Sequence, residues 1–159
     1  MGLQLILATV VDAQNMLTMQ RTCFQKHFER YHDLDSPYNE TLEKMLARIN
    51  FEKGCYYKIV SMNKLVGGVW VFEKEWKVFH IGIIYILPEY QSKGMGQKAL
   101  EMVENYHTDA KFWELDCPED LSMNRRCYEK AGYKLTGENR FINENLSLVY
   151  YRKEGRVGL

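Results

Sequence analysis

Residues 55–87, CYYKIVSMNKLVGGVWVFEKEWKVFHIGIIYIL, constrain this chain more than any other stretch. Their β-branched and aromatic residues fall into three runs, 55–61, 65–73 and 77–87. The turn-forming segments MNK and EKEW separate them. Connections this short predict antiparallel pairing of successive strands. The stretch therefore predicts a three-stranded meander, and the remaining elements must cover its faces or extend its edges. Gly67, Gly68 and Gly82 interrupt the runs and mark a bulge or a close backbone approach.

The flanking sequence predicts those remaining elements. LQLILATVV (Leu3–Val11) reads as a strand. Beyond it, Met16, Gln20, Phe24, Phe28 and Tyr31 recur at three and four residues, a helical stripe with Asp12 as its expected N-cap. DSPYNETLEKMLARIN predicts a second helix, capped by Ser36 with Pro37 in its first position. Leu42, Met45, Leu46 and Ile49 form its apolar face. GQKALEMVENYH predicts a third helix with Ala99, Leu100, Val103 and Tyr106 inward. KFWELDC (Lys111–Cys117) predicts a strand. SMNRRCYEKAG predicts a short helix with Ser122 as cap and Gly132 as stop. YKLTGENRFINENLSLVYYRK closes the chain as a hairpin. The expected order is β-α-α-β-β-β-α-β-α-β-β, an α/β fold with a mixed, mostly antiparallel sheet flanked by helices, in a single domain over residues 1–159.

Composition narrows the function classes. The 21 Lys plus Arg balance 21 Asp plus Glu, so no global positive field draws in nucleic acid. No apolar run approaches the length of a membrane span. The N-terminus lacks the basic and apolar regions of a secretory leader. Gly2 is followed by Ile6 where a myristoylation signal wants Ser or Thr. The four cysteines, at 23, 55, 117 and 127, match no zinc spacing. A reduced, soluble, cytoplasmic protein with no metal, nucleic-acid or membrane partner is the expectation.

The junction ILPEYQSKGMGQKALEMV (Ile86–Val103) carries the chemistry. An apolar strand stops at Pro88, and a helix opens after two glycines. The first turn of a helix presents unpaired N–H groups and the positive end of its dipole. Gly94 and Gly96 leave those amides approachable, and Lys93 and Lys98 add charge, which outlines a phosphate cradle. A P-loop would need four residues between its glycine and GK[ST], which are absent. GMGQKA satisfies the dinucleotide pattern G-x-G-x-x-A, and Asp116 lies 20 residues past Gly96. Against that reading, PEYQSK separates the glycines from their strand, and only 43 residues follow Asp116.

QSKGMG resembles the Q/R-x-x-G-x-G/A motif of the GCN5-related N-acetyltransferase (GNAT) superfamily, with Gln91, Gly94 and Gly96 in the motif positions. Downstream, NRRCYEKAGY (Asn124–Tyr133) resembles that family's late helix, with Tyr128, Gly132 and Tyr133 matching Y-E-K-x-G-F. The two segments lie 32 residues apart from Gly96 to Tyr128, with a helix and a strand between. The element order resembles the family fold over nearly the whole chain. Leu121 stands where many members carry asparagine seven residues before the tyrosine, and Asn124, four before it, takes a variant position.

The resemblance implies acetyl-CoA as co-substrate. Its pyrophosphate would be held by Gln91, Gly94, Gly96 and the amides of Ser92, Lys93 and Met95, with Asn124 nearby. It implies transfer of the acetyl group to a primary amine by direct attack in a ternary complex. Tyr128 would be the general acid for the leaving thiolate, and the N–H of Leu87 or a neighbour the contact to the carbonyl oxygen. Some members place a carboxylate eleven residues before the motif glutamine or arginine, and that position here is His80; His80 and Glu114 are the candidate bases. The acceptor is a small-molecule or peptide amine, to which Asp33, Asp35 and Glu40 in the first interhelical loop add negative charge, with Tyr31 and Tyr38 as flanking rings. A homodimer remains open. Two other classes compete: a catalytically inactive acyl-CoA-binding regulatory module, which would not need Tyr128, and a protein-interaction domain with no ligand.

Overall fold

The computed structural model describes residues 2–156. Its strands are β1 (Leu3–Leu7), β2 (Gly54–Ser61), β3 (Lys64–Glu75), β4 (Val78–Ile86), β5 (Phe112–Pro118), β6 (Lys134–Asn143) and β7 (Leu146–Glu154). They form one sheet in the order β1-β2-β3-β4-β5-β7-β6. Every neighbouring pair is antiparallel except β4 with β5. Helices α1 (Ala13–Tyr31) and α2 (Leu42–Asn50) pack on one face, and α3 (Met95–Tyr106) and α4 (Ser122–Lys130) on the other. The expected order of elements holds.

The meander forms as its turns dictate. Met62 and Asn63 both take positive φ, 51° and 64°, the two-residue turn whose twist matches that of paired strands. β3 and β4 then fall out of step. Trp70 faces Ile83 but Val71 faces Ile81, so Gly82 is an extra residue in β4. The bulge reverses the alternation of the strand. Phe79 and Ile81 sit in the core beneath α3 and α4, whereas Ile83 and Tyr85 sit in the core beneath α1 and α2. Only glycine fits here, because a Cβ on residue 82 would lie 2.7 Å from the Trp70 ring.

A buried polar chain fastens α1 and α2 to the sheet. The Tyr85 and Tyr56 hydroxyls lie 2.8 Å apart, and Tyr56 donates to Gln20 Oε1. Gln20 Nε2 donates to Glu40 Oε1 at 3.2 Å, and Arg48 pairs with Glu40 at 2.8 Å. Each polar group in this chain has a partner, as burial demands. Glu40 is 6% exposed and belongs to this network, so it does not act as a surface attractor for cations. Tyr31 and Tyr38 are likewise engaged, Tyr31 with Asp120 at 2.8 Å and Tyr38 stacked on Phe28.

Five local expectations are corrected. β1 ends at Leu7, not Val11, because Val10–Asp12 coil into a 3-10 turn. The Asp12 carboxylate there accepts the Thr9 N–H at 2.8 Å, so Asp12 precedes α1 without capping it. Ser36 caps only the short turn Pro37–Asn39, accepting from Tyr38 N–H at 3.1 Å. Thr41 caps α2 by accepting from Lys44 N–H at 3.2 Å. Ser122 is the first residue of α4 and makes no cap bond. Tyr106 is 53% exposed, although its edge meets Tyr57. Gly132 does end α4's segment, at φ 99°.

His107 follows α3 and packs among Phe79 and Trp113, with Nε2 2.9 Å from the Tyr57 hydroxyl. Burial pushes its pKa below the usual histidine value, more than nearby Asp109 raises it. The folded protein therefore takes up this proton less readily than the unfolded chain. The stability that neutral His107 provides is present above about pH 6.5 and is lost as pH falls through the lowered value. Urea midpoints measured from pH 7.5 to 5 should decline for the parent and decline less steeply for His107→Gln.

Candidate active site

β4 and β5 pair only through Val78–Phe112, Phe79–Trp113 and His80–Glu114. Beyond His80 the strands part, and β4 has no partner on that edge. In an antiparallel ladder, alternate residues direct both backbone groups to the same neighbour. Leu87 N–H donates to Val66 O at 2.8 Å, which turns Leu87 and Tyr85 toward β3. The expected use of the Leu87 N–H at the carbonyl oxygen is thus corrected, since that group is engaged in the sheet. By the same alternation the N–H groups of Ile84 and Ile86 face the opening. Gln91 Nε2 reaches the Ile86 carbonyl at 2.8 Å, so the motif glutamine braces the strand end.

The glycine segment curls against this free edge. Ser92 and Gly94 adopt positive φ, 63° and 78°, and Gly94 is the N-cap of α3. Lys98 N–H closes the first helical turn on Gly94 O at 3.0 Å. The N–H groups of Met95, Gly96 and Gln97 therefore have no carbonyl of the helix to bond. Gly94 needs glycine for its φ. Gly96 does not: a Cβ there would meet only Cys127 Sγ, at 4.0 Å. A glycine inside a helix costs about 1 kcal/mol relative to alanine. No packing within the protein accounts for that cost, which points to something brought from outside.

A cavity of about 440 Å³ joins these parts. Ile84 and Ile86 form its strand wall, Gly94 to Gln97 its helix mouth, and Asn124 and Tyr128 the α4 side. Gln91 and Ser92 also line it, whereas Lys93, His80 and Leu87 do not. Lys93 instead points over the Tyr90 ring, 5.8 Å from its centre, and Lys98 lies 3.9 Å from Glu101. Among the described residues, Arg126 and Lys130 of α4 line the wall and no aspartate or glutamate does. Sequence reasoning missed these two, although both lie in the segment that holds Tyr128. The arrangement suits an elongated anion with an apolar arm.

Tyr128 is 6% exposed at the inner end of the cavity. Burial pushes its phenol well above the ordinary value, and neighbouring Cys117 and Cys127 push the same way. A hydrogen bond with the Asn124 side chain, one helical turn earlier, acts in the opposite direction. Tyr128 thus stays protonated at neutral pH. Cys23, Cys117 and Cys127 are not thiolates there: burial raises all three, Cys23 up to about 11 and Cys117 up to about 12.

His80 is separated from the cavity. It lies on the α1/α2 face of the sheet, with Nε2 3.5 Å from Asp116 Oδ2 and its ring 5.3 Å from that of Phe72. Its Nδ1 is buried without a partner. Glu114, the other candidate base, pairs with Lys74 at 2.9 Å and Arg152 at 3.0 Å. Although burial opposes it, these cations hold its carboxyl below the usual range, which makes it a poor base.

The chain can now be compared with known proteins. A family model described as the acetyltransferase (GNAT) family matches residues 13–133. The uncharacterized protein YrkN of Bacillus subtilis (strain 168) is 29% identical over 102 residues, 63% of this chain. The match spans about half of that relative's length, 54%. PaiA N-acetyltransferase from Thermoplasma acidophilum, in complex with coenzyme A, superposes with a TM-score of 0.80 at 14% identity, over 97% of this chain and 99% of its own. Spermidine N-acetyltransferase from Vibrio cholerae, in complex with CoA and spermine, does so with a TM-score of 0.77 at 17% identity, over 96% and 95%. At these identities the two structures establish the fold.

If Gly96 is held by a demand from outside the protein, relieving it should stabilise the free chain. Gly96→Ala should raise the melting temperature by roughly 2–4 °C, the equivalent of about 1 kcal/mol for a domain this size. A thermal melt without ligand checks this, and an unchanged or lowered midpoint would show that Gly96 has a packing role.

Proposed function

This chain belongs to the acetyltransferase (GNAT) family, and from that premise we propose that residues 1–159 form one domain that moves the acetyl group of acetyl-CoA to a primary amine by direct attack in a ternary complex. The observation that carries the reading is the single cavity linking the Gly94–Gln97 amides, the free edge of β4 and Tyr128. Those amides, with Arg126 and Lys130, would hold the pyrophosphate. The free edge of β4 would pair with the amide-rich pantetheine arm, much as another strand would. That placement brings the thioester to Ile84 and Tyr128.

Each step then has a residue. The N–H of Ile84 or Ile86 donates to the carbonyl oxygen as it gains charge during attack. The amine nitrogen bonds to the acetyl carbon, the carbon–sulfur bond breaks, and the nitrogen's proton passes to water. Tyr128 donates a hydrogen bond to the departing sulfur. A free thiol has a pKa near 8.5, below that of the buried phenol, so complete transfer is uphill and the hydroxyl acts mostly as a donor to the developing thiolate. His80 precedes Ile84 by four residues on β4, about 13 Å along the strand. As a base it would act through water, on the face from which an acceptor can approach.

Two measurements test these roles. Tyr128→Phe preserves ring packing and removes the hydroxyl. Thiol release over a panel of primary amines should show kcat reduced roughly tenfold to a thousandfold, with coenzyme affinity by calorimetry nearly unchanged. Turnover at the parent rate would remove the acid role, and transfer to none of the amines by a coenzyme-binding parent would favour a binding module. His80→Ala should depress kcat/KM chiefly at low pH, where little amine is free, and converge on the parent at high pH. A small effect, flat with pH, would leave water as the proton carrier.

A further inference from the structure

We infer that Phe24 of α1 sets the length of the acyl group this chain transfers, closing the cavity beyond the thioester so that acetyl fits and longer acyl groups do not. The inference rests on the acetyl-transfer reading above, which brings the thioester to Ile84 and Tyr128.

The cavity does not stop at the sheet. Ile84 packs against the core beneath α3 and α4, whereas Tyr85 belongs to the core beneath α1 and α2. Both line the same cavity, which therefore passes around the free edge of β4. On the far side α1 lines it with Cys23, Phe24 and His27, which lie within about one turn of the helix. A coenzyme whose pyrophosphate sits at the Gly94–Gln97 amides has its sulfur at the level of Ile84. Whatever the sulfur carries then extends away from the cradle, toward this turn of α1.

Phe24 makes that end of the cavity stiff. Its ring meets the Tyr85 ring edge-on at 5.9 Å and the His27 ring edge-on at 5.6 Å. Tyr85 has no room to retreat. It is 5% exposed, its hydroxyl lies 2.8 Å from that of Tyr56, and a Cβ on Gly68 would come within 2.5 Å of the same hydroxyl. The helix cannot swing away either. Met16 and Leu17 are fully buried, Gln20 accepts from Tyr56, and Tyr31 holds Asp120 at 2.8 Å. Phe24 lies between these fixed points.

A stiff apolar wall discriminates by length. Propanoyl and butanoyl groups add one and two methylenes to acetyl. Close-packed surroundings admit extra methylenes only by forcing side chains off their preferred rotamers. One methylene in an apolar pocket changes kcat/KM by roughly 10–200-fold. The bonds that change are the same for each acyl group. The amine nitrogen bonds to the acyl carbon, the carbon–sulfur bond breaks, and the nitrogen's proton passes to water. Length therefore acts through fit.

Thiol release from acetyl-, propanoyl- and butanoyl-CoA tests this, with the full chain and a primary amine that it acetylates. For the parent, kcat/KM should fall with length, roughly tenfold or more from acetyl to butanoyl. In Phe24→Ala that ratio should shrink roughly tenfold, and in Phe24→Leu by less. Affinity for free coenzyme A by calorimetry should stay the same in both variants, because the ring lies beyond the sulfur. Phe28→Ala alters the same helix away from the cavity, where Phe28 stacks on Tyr38, and should keep the parent's ratio. Equal use of acetyl- and butanoyl-CoA by the parent overturns the inference. So does an unchanged ratio in folded Phe24→Ala, or an equal loss of discrimination in Phe28→Ala. If Phe24→Ala does not fold, the ratio in Phe24→Leu decides. Any of these results beside active acetyl transfer defeats this inference alone. A parent that binds coenzyme A and transfers no acyl group to any amine defeats the acetyl-transfer reading and this inference with it.

Discussion

The site depends on one mismatch in the sheet: β4 carries a residue, Gly82, that β3 cannot match. The extra residue turns Ile83 and Tyr85 onto the face where α1 docks and leaves Ile84 and Ile86 with their backbone groups toward β5. β5 cannot follow, and its pairing ends at His80–Glu114. A row of backbone donors and acceptors is left without a strand. Unpaired strand edges are normally covered or blunted because they recruit other chains. Here the edge lines a cavity, and its chemistry is available to an amide-containing ligand.

The electrostatics of the opening are local. The first-turn amides of α3, Arg126 and Lys130 face the cavity, and among the described residues no aspartate or glutamate lines it. On the α1/α2 side Asp116 is half-buried beside His80, and Glu114 and Glu40 hold the nearby cations. With the chain's formal charge balanced at zero, this distribution comes from placement alone.

Stability and function pull apart at Gly96 and at Tyr128. Gly96 weakens the first turn of α3 although its Cβ would have room. Tyr128 places a hydroxyl in surroundings that keep it protonated. By contrast, Gly68 and Gly82 are explained inside the protein, one by the Tyr85 hydroxyl and the other by the Trp70 ring. A Cβ at Gly68 or Gly82 would collide with the fold, whereas one at Gly96 would meet only Cys127 Sγ, at 4.0 Å.

The sequence by itself determined the elements and their order, because helix stripes, strand runs and turn residues are local patterns. It also determined the glycine segment that opens α3 and the short helix bearing Tyr128, since each is a contiguous motif whose geometry follows from a helix start or a helix face. The caps at Thr41 and Thr9–Asp12 were less legible, because several adjacent residues could serve and a difference of one hydrogen bond decides. What only the tertiary structure decided is long-range. Strict alternation would put Phe79, Ile81, Ile83 and Tyr85 on one face, and only packing against Trp70 shows that Gly82 breaks it. Which β4 amide is free, why Leu87 is not, and how Asp116 comes to stand beside His80 all follow from that bulge and from where β5 stops. Those are properties of strand pairing, between Trp70 and Ile83 at the bulge and between His80 and Glu114 where β5 stops, and no local run of sequence specifies them.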